Sequence, residues 1–329
     1  MNILIVRTDK LGDFVTALPT MYVLKKQHPQ NRIIACVAPL NEALANACDF
    51  IDEVIVDRGE GLVKFSMRLR QAQIDVSITL FSNTRVALAQ FMAGIPIRIA
   101  PATKIAQIFY NRRVKQRRSR VEMAEYEYNL ELTKTLFKDI DVTFTRPLCD
   151  FLSDDIDTVY KDFTSKYAIT RPVIAFHPGF GGSSDANLTL AEYVDLVKVV
   201  SEDATFQAVM TFGPGEEALR EESIKLSEGL DVVFYTSTDG IVSFTKLLAS
   251  FKLFVSTSTG TYHLAALVNI PTITFFGDSL FASVKRWKAV NEEKKQYPFM
   301  LPTSPPKRVK MIGEISNHLK QWVDDEKNI

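Results

Sequence analysis

The chain has 329 residues, 46% of them hydrophobic, and sets 39 Lys plus Arg against 39 Asp plus Glu. That length exceeds one ordinary core and predicts two domains of roughly 150 residues each, while the charge balance leaves no global field to select nucleic acid. No apolar run approaches the ~20 residues that span a bilayer, so a soluble chain is expected.

The first strand begins at residue 2 and leaves no room for a signal peptide, which points to the cytoplasm. Cys36, Cys48 and Cys149 are odd in number and widely spaced, a pattern that suits reduced, partly buried thiols better than disulfides or a zinc site.

In chain order, residues 2–6 (NILIV) form an apolar run of buried-strand type. A polar turn, Gly12 and Asp13 follow, then an amphipathic run through Val15, Leu18, Tyr22 and Leu24 that reads as a helix. Open α/β folds place their sites where a strand feeds a helix start, because unpaired N–H groups gather beside the sheet's carboxyl edge. Asp13 sits at that edge, where it could act on a ligand or serve as a helix N-cap.

Residues 32–37, 54–56, 75–80 and 97–99 read as further strands, with a helical stretch over 62–72. Strands alternating with helices imply right-handed crossovers and a mostly parallel, doubly wound sheet. Residues 112–120 then hold six basic side chains among nine and no acidic one. Such a run is either a solvated loop or an anion-binding surface, for a phosphorylated acceptor or the anionic headgroups of a membrane leaflet. A helix over 122–137 closes this first domain, residues 1–150.

Residues 151–171 are expected to link the domains, with a helix to Tyr167. The second domain, 172–310, shows strands at 173–176, 207–212, 232–235, 253–256 and 272–276, with helices over 190–200, 216–227, 241–249 and 261–268 between them. The proline-rich stretch 298–306 is expected to be irregular. A last helix over 311–323, within 311–329, is expected across the domain junction. The fold class predicted is therefore α/β, two Rossmann-like doubly wound domains facing a cleft.

Three loops of the second domain have the composition of phosphate cradles. The first is HPGFGGSS at 177–184, where Gly181 and Gly182 let backbone approach an anion and Ser183 and Ser184 add hydroxyls. The second is GPGEE at 213–217, with Gly213, Pro214 and Glu216. The third is STSTGTYH at 256–263, where Ser258, Thr259, Gly260 and Thr261 precede or open a helix that would favour a diphosphate, and His263 could donate to it. Together they favour a nucleotide-type ligand. Neither a G-x-G-x-x-G after the first strand nor a Walker motif is present, which argues against a dinucleotide oxidoreductase or a P-loop NTPase. No metal-ligand cluster is visible.

Taken in order, RTDKLGD with ALP (7–13, 17–19), HPGFGGS (177–183), GPGEE (213–217), VSTSTGTYHLAA (255–266) and IPTITFFG (270–277) resemble glycosyltransferase family 9, the ADP-heptose:lipopolysaccharide heptosyltransferases. The resemblance implies a GT-B architecture, with an N-terminal acceptor domain and a C-terminal nucleotide-sugar domain, and inversion at the anomeric carbon without a metal ion or other cofactor. It puts the general base on Asp13, the donor ADP-heptose or another nucleotide-sugar on the three loops, and an anionic glycolipid at the inner leaflet as acceptor. Lys10, Arg113, Arg117, Arg118 and Arg120 are then candidates to hold that acceptor. Two positions depart from the family pattern: Ser258 stands where an Asp is usual, and Asp185, Ala186 and Asn187 where a Lys or Arg is common. They leave open another sugar donor, or a non-catalytic binding module of the same fold.

Overall fold

The computed structural model describes residues 1–151, 153–180 and 187–327. The chain divides into two compact units, Met1–Cys149 and Asp150–Ile329.

The first unit holds six parallel strands: β1 (Asn2–Arg7), β2 (Arg32–Val37), β3 (Glu53–Val56), β4 (Val76–Thr79), β5 (Ile97–Pro101) and β6 (Arg112–Val114), in the order β3-β2-β1-β4-β5-β6. β1 is central because Ile3, Leu4, Ile5 and Val6 are apolar in sequence and buried on both faces. Leu4 and Val6 pack with Ile34, Cys36, Phe65 and Leu69 on one side of the sheet, each such side chain adding about 1.5–3 kcal/mol by leaving water. β6 falls inside the basic run. It is an edge strand, where arginines keep their charges in solvent and discourage pairing with a second chain.

The second unit repeats the plan with β7 (Val173–His177), β8 (Gln207–Phe212), β9 (Val232–Thr236), β10 (Leu253–Thr257), β11 (Thr272–Gly277) and β12 (Gln296–Leu301), in the order β12-β11-β10-β7-β8-β9. Counted from each unit's own first strand, both sheets have the 3-2-1-4-5-6 order of dinucleotide-binding folds. The points where strand order reverses are β1/β4 and β7/β10.

Three expectations need correction. The stretch expected to be irregular overlaps β12, which accommodates Pro298 because an edge strand has one side that needs no N–H partner. The final helix runs Pro305–Glu326, with its prolines in the first turn, where no N–H is required. Its buried residues Ile315, Leu319, Trp322 and Val323 join Tyr193, Leu196 and Phe206 in the core of the second unit. The expected linker falls within the second unit: its helix, which ends at Tyr167 as expected, runs Ser153–Tyr167, and Phe163 meets Tyr235 and Phe251 at ring-centre distances of 5.3 and 5.8 Å.

Candidate active site

In the first unit the site is built at the carboxyl end of β1. Arg7 is the last residue of that strand and only 1% exposed. An arginine so placed must be paired, because desolvating its charge costs more than any single contact returns. Its guanidinium meets three carboxylates: Nε donates to Asp9 at 2.8 Å, Nη1 to Glu125 at 3.2 Å and Nη2 to Asp13. Burial works against the charge, but the three carboxylates hold the Arg7 pKa above its ordinary value. Glu125 also accepts from Arg118 Nη1 at 2.5 Å, and Arg118 Nη2 donates to Asn129 at 3.2 Å. Asn129 in turn donates to the Thr16 carbonyl at 3.1 Å, beside the helix that carries Asp13.

Asp13 lies within the short helix Leu11–Val15, whose N-cap is Lys10, so it is not the cap itself. Arg7 clamps the half-buried carboxylate. Asp9 differs: burial, the largest cause, raises its carboxyl to about 6 against the pull of Arg7. Beyond the next strand, Phe81 presents its ring 5.6 Å from the Arg7 Cζ.

The basic residues separate by environment. Lys10, Arg113, Arg117 and Arg120 are exposed. Arg118 is half-buried, and its guanidinium is taken by Glu125, Asn129 and Gln116. It therefore belongs to the framework under Arg7 rather than to a free basic surface. Arg7 and Glu125 are not among the site residues that the sequence suggests. The signal for Arg7 was a charge directly following an uninterrupted buried strand, whereas Glu125 gives none, standing 118 positions away from its partner.

In the second unit, β8, β7 and β10 are neighbours, so the loops leaving them share one edge of the sheet. Gly181, Gly182, Ser183 and Ser184 lie outside the described residues. The rest of the first loop is tied to the second: Glu216 accepts from the Gly213 N–H at 2.6 Å and lies against Gly179, where a Cβ would collide with the carboxylate. Gly215 supplies the left-handed turn at φ 86° between them, and Pro214 is exposed. His177 is buried, which lowers its pKa, and its Nδ1 lies 3.0 Å from Thr211 Oγ1. Because Thr211 donates its own proton to the Phe176 carbonyl at 3.3 Å, the histidine is the donor of the pair.

In the third loop, Ser258 N–H donates to the Phe275 carbonyl at 3.0 Å, which fixes the approach to the helix Gly260–Leu267. The hydroxyls of Thr259 and Thr261 are 2.8 Å apart at its first turn, beside N–H groups that lack intrahelical acceptors and favour an anion. His263 is buried against Tyr262 and Trp287, and burial lowers its pKa to about 4. Its Nδ1 finds no hydrogen-bond partner among the described residues. Also among the described residues, no group of three or more His, Cys, Asp or Glu side chains is disposed to hold a metal ion.

Comparison with known proteins gives these edges a context. The model of glycosyltransferase family 9 (heptosyltransferase) matches residues 62–312. A Haemophilus influenzae protein named provisionally as a glycosyltransferase is 34% identical, covering all of this chain and 99% of its own length. Among solved structures, Escherichia coli ADP-heptose lipopolysaccharide heptosyltransferase II aligns with a TM-score of 0.75 at 19% identity, over 97% of this chain and 99% of that one. Escherichia coli heptosyltransferase WaaC with ADP aligns at 0.72 and 18%, over 99% of each. Two parallel sheets of matching topology, with loops gathered at their switch points, thus accompany a family match over most of the chain: the protein belongs to glycosyltransferase family 9 and is a heptosyltransferase-like glycosyltransferase.

Proposed function

We propose that this enzyme transfers heptose from ADP-heptose to an inner-core lipopolysaccharide acceptor, with inversion and without a metal ion or other cofactor. The observation that carries the reading is the Asp13 carboxylate clamped by buried Arg7 at the carboxyl edge of β1. An acceptor hydroxyl is a poor nucleophile until a positioned carboxylate takes its proton, a contribution of about 10² to 10⁴ in rate. In the step proposed, the acceptor oxygen bonds to the anomeric carbon, the bond from that carbon to the phosphate oxygen breaks, ADP leaves with the electron pair, and Asp13 keeps the proton. Three carboxylates, Asp9, Asp13 and Glu125, share the guanidinium groups of Arg7 and Arg118, a framework that fixes where the Asp13 carboxylate stands.

On the donor side, the N–H groups opening the helix Gly260–Leu267 and the hydroxyls of Thr259 and Thr261 would meet the charge growing on ADP. Glu216, fixed between Gly213 and Gly179, is an acceptor suited to sugar hydroxyls of the nucleotide. Ser258 and His263 would complete this side, as would Ser183 and Ser184. Lys10, Arg113, Arg117 and Arg120 remain available to an anionic glycolipid. No helix among the described residues is long and apolar enough to cross a membrane. In this reading the enzyme works in the cytoplasm and meets its acceptor as a peripheral protein at the inner leaflet.

A thermal-shift series with ADP, UDP and GDP, each with magnesium and with EDTA, tests the donor. A nucleotide at 100 times its Kd should stabilise the protein by about 2.7 kcal/mol, enough to move Tm by several degrees. An ADP-selective shift indifferent to EDTA supports the proposal. Selectivity for UDP or GDP moves the donor to another sugar class, and no shift with any nucleotide favours a non-catalytic module.

A further inference from the structure

Lys104 stands three residues beyond β5 with φ 60° and ψ 171°, a backbone region in which only glycine rests comfortably. The Cβ of a lysine crowds the backbone there, so the conformation must be held by its surroundings. Its ammonium lies 4.3 Å from the centre of the Phe81 ring, within reach of the ring's negative face. It pairs with no carboxylate among the described residues. Phe81 itself is 42% exposed although it is a large aromatic. β4 and β5 are adjacent, and β4 adjoins β1, so both residues leave the same edge of the sheet as Arg7. A single guanidinium connects them to the base, because Arg7 lies 5.6 Å from the Phe81 ring and donates to Asp13. The surrounding sequence is one-sided in charge: residues 76–121 contain nine Lys and Arg and no Asp or Glu.

A cation with no carboxylate partner among the described residues, a strained backbone under it, an exposed ring beside it and a proton acceptor one side chain away are the components of a site for a charged sugar. We propose that Phe81 and Lys104 form the acceptor subsite for an anionic pyranose, the ring packing against its C–H face and the ammonium pairing with its carboxylate or phosphate. The inference rests on the acceptor reading given above and names residues for it.

The test titrates the wild type, K104G, K104R and F81A with a detergent-dispersed inner-core lipopolysaccharide glycolipid, intact and phosphatase-treated, alongside their melting curves. K104G removes the charge and relieves the backbone together, so Tm should stay level or rise while glycolipid binding weakens about tenfold or more, the loss of one charge-assisted hydrogen bond. The ADP-induced thermal shift should be unchanged. K104R should keep most of the affinity, and F81A should lose it. If phosphatase treatment abolishes the dependence on Lys104, the bound anion is a phosphate; if the dependence survives, it is a carboxylate. K104G binding the glycolipid as the wild type does, or a wild type that binds no glycolipid, overturns the subsite. A wild type that binds the glycolipid but releases no ADP from ADP-heptose keeps the subsite and overturns the donor assignment instead.

Discussion

Arg7 and Asp13 are joined by a buried ion pair in which the arginine, not the aspartate, is the more deeply sequestered partner. The Asp13 carboxylate is thereby held by a group that is itself held, through Glu125 and Arg118, to a helix more than a hundred residues away. Removing one member of such a cluster leaves the others as uncompensated charge, which typically costs about 3–5 kcal/mol. R7M should therefore lower the unfolding free energy by that order in urea. An R7M protein as stable as the wild type would show that the cluster is not under electrostatic tension.

The two neighbouring arginines at 117 and 118 should behave differently. R118E sets a second carboxylate against buried Glu125 and should destabilise the first unit by about 3–5 kcal/mol. R117E, on an exposed side chain, should change stability by no more than about 0.5 kcal/mol. Denaturant midpoints for both variants decide the matter, and equal effects would contradict the distinction.

Opposite pH slopes are expected from Asp9 and His263. The folded-state pKa of Asp9 is raised from 3.8 to about 6, so its contribution is full below the lower value and is lost as pH rises through the upper one. His263 is lowered from 6.5 to about 4, so its contribution is present above the upper value and is lost as pH falls through the lower. Relative to the wild type, D9N should gain stability as pH rises across the first window, and H263F should gain it as pH falls across the second. Tm measured as a function of pH for the three proteins checks both signs.

The Gly179 and Glu216 contact predicts a steric effect confined to nucleotide binding. G179A should push the Glu216 carboxylate off the Gly213 N–H and weaken ADP binding about tenfold, roughly one hydrogen bond. Calorimetric titration with ADP reads this directly, and undiminished affinity would remove Glu216 from the nucleotide's contacts.

The thiols should be inert in the folded state. Cys48 and Cys149 lie with their sulfurs 3.3 Å apart, and the hydrogen bond to Cys149, followed by burial, pushes the Cys48 thiol up. Burial does the same to Cys36. Aromatic disulfide reagents attack thiolates, so labelling should be slow until denaturant is added and should then reach all three cysteines; rapid labelling under native conditions would contradict the burial.

Much of this fold is legible in single stretches. Residues 3–6 and 253–255 are uninterrupted apolar runs, and a strand buried on both faces needs little else to announce it. Pro298 and Arg112–Val114 hid two strands because edge positions tolerate what central ones reject. That turns follow the strands at 213–217 and 256–263 could be read from composition, since glycine and small hydroxyl residues favour such turns. The pairing of Arg7 with Glu125 could not, because the two are brought together only when β1 and the helix Glu125–Thr133 fold against each other. The Cys48 and Cys149 contact and the strained backbone of Lys104 have the same character: each is a property of tertiary placement, with no local pattern to mark it.

The most direct measurement is ADP release from ADP-heptose in the presence of an inner-core glycolipid, by the wild type and by D13N, with the ADP-induced thermal shift recorded for both. D13N is predicted to lose about 10² to 10⁴ in kcat while keeping the full ADP-induced shift, because the proton acceptor is lost while the proposed nucleotide loops belong to the second unit. Turnover by D13N at the wild-type rate would contradict the assignment of Asp13 as the base.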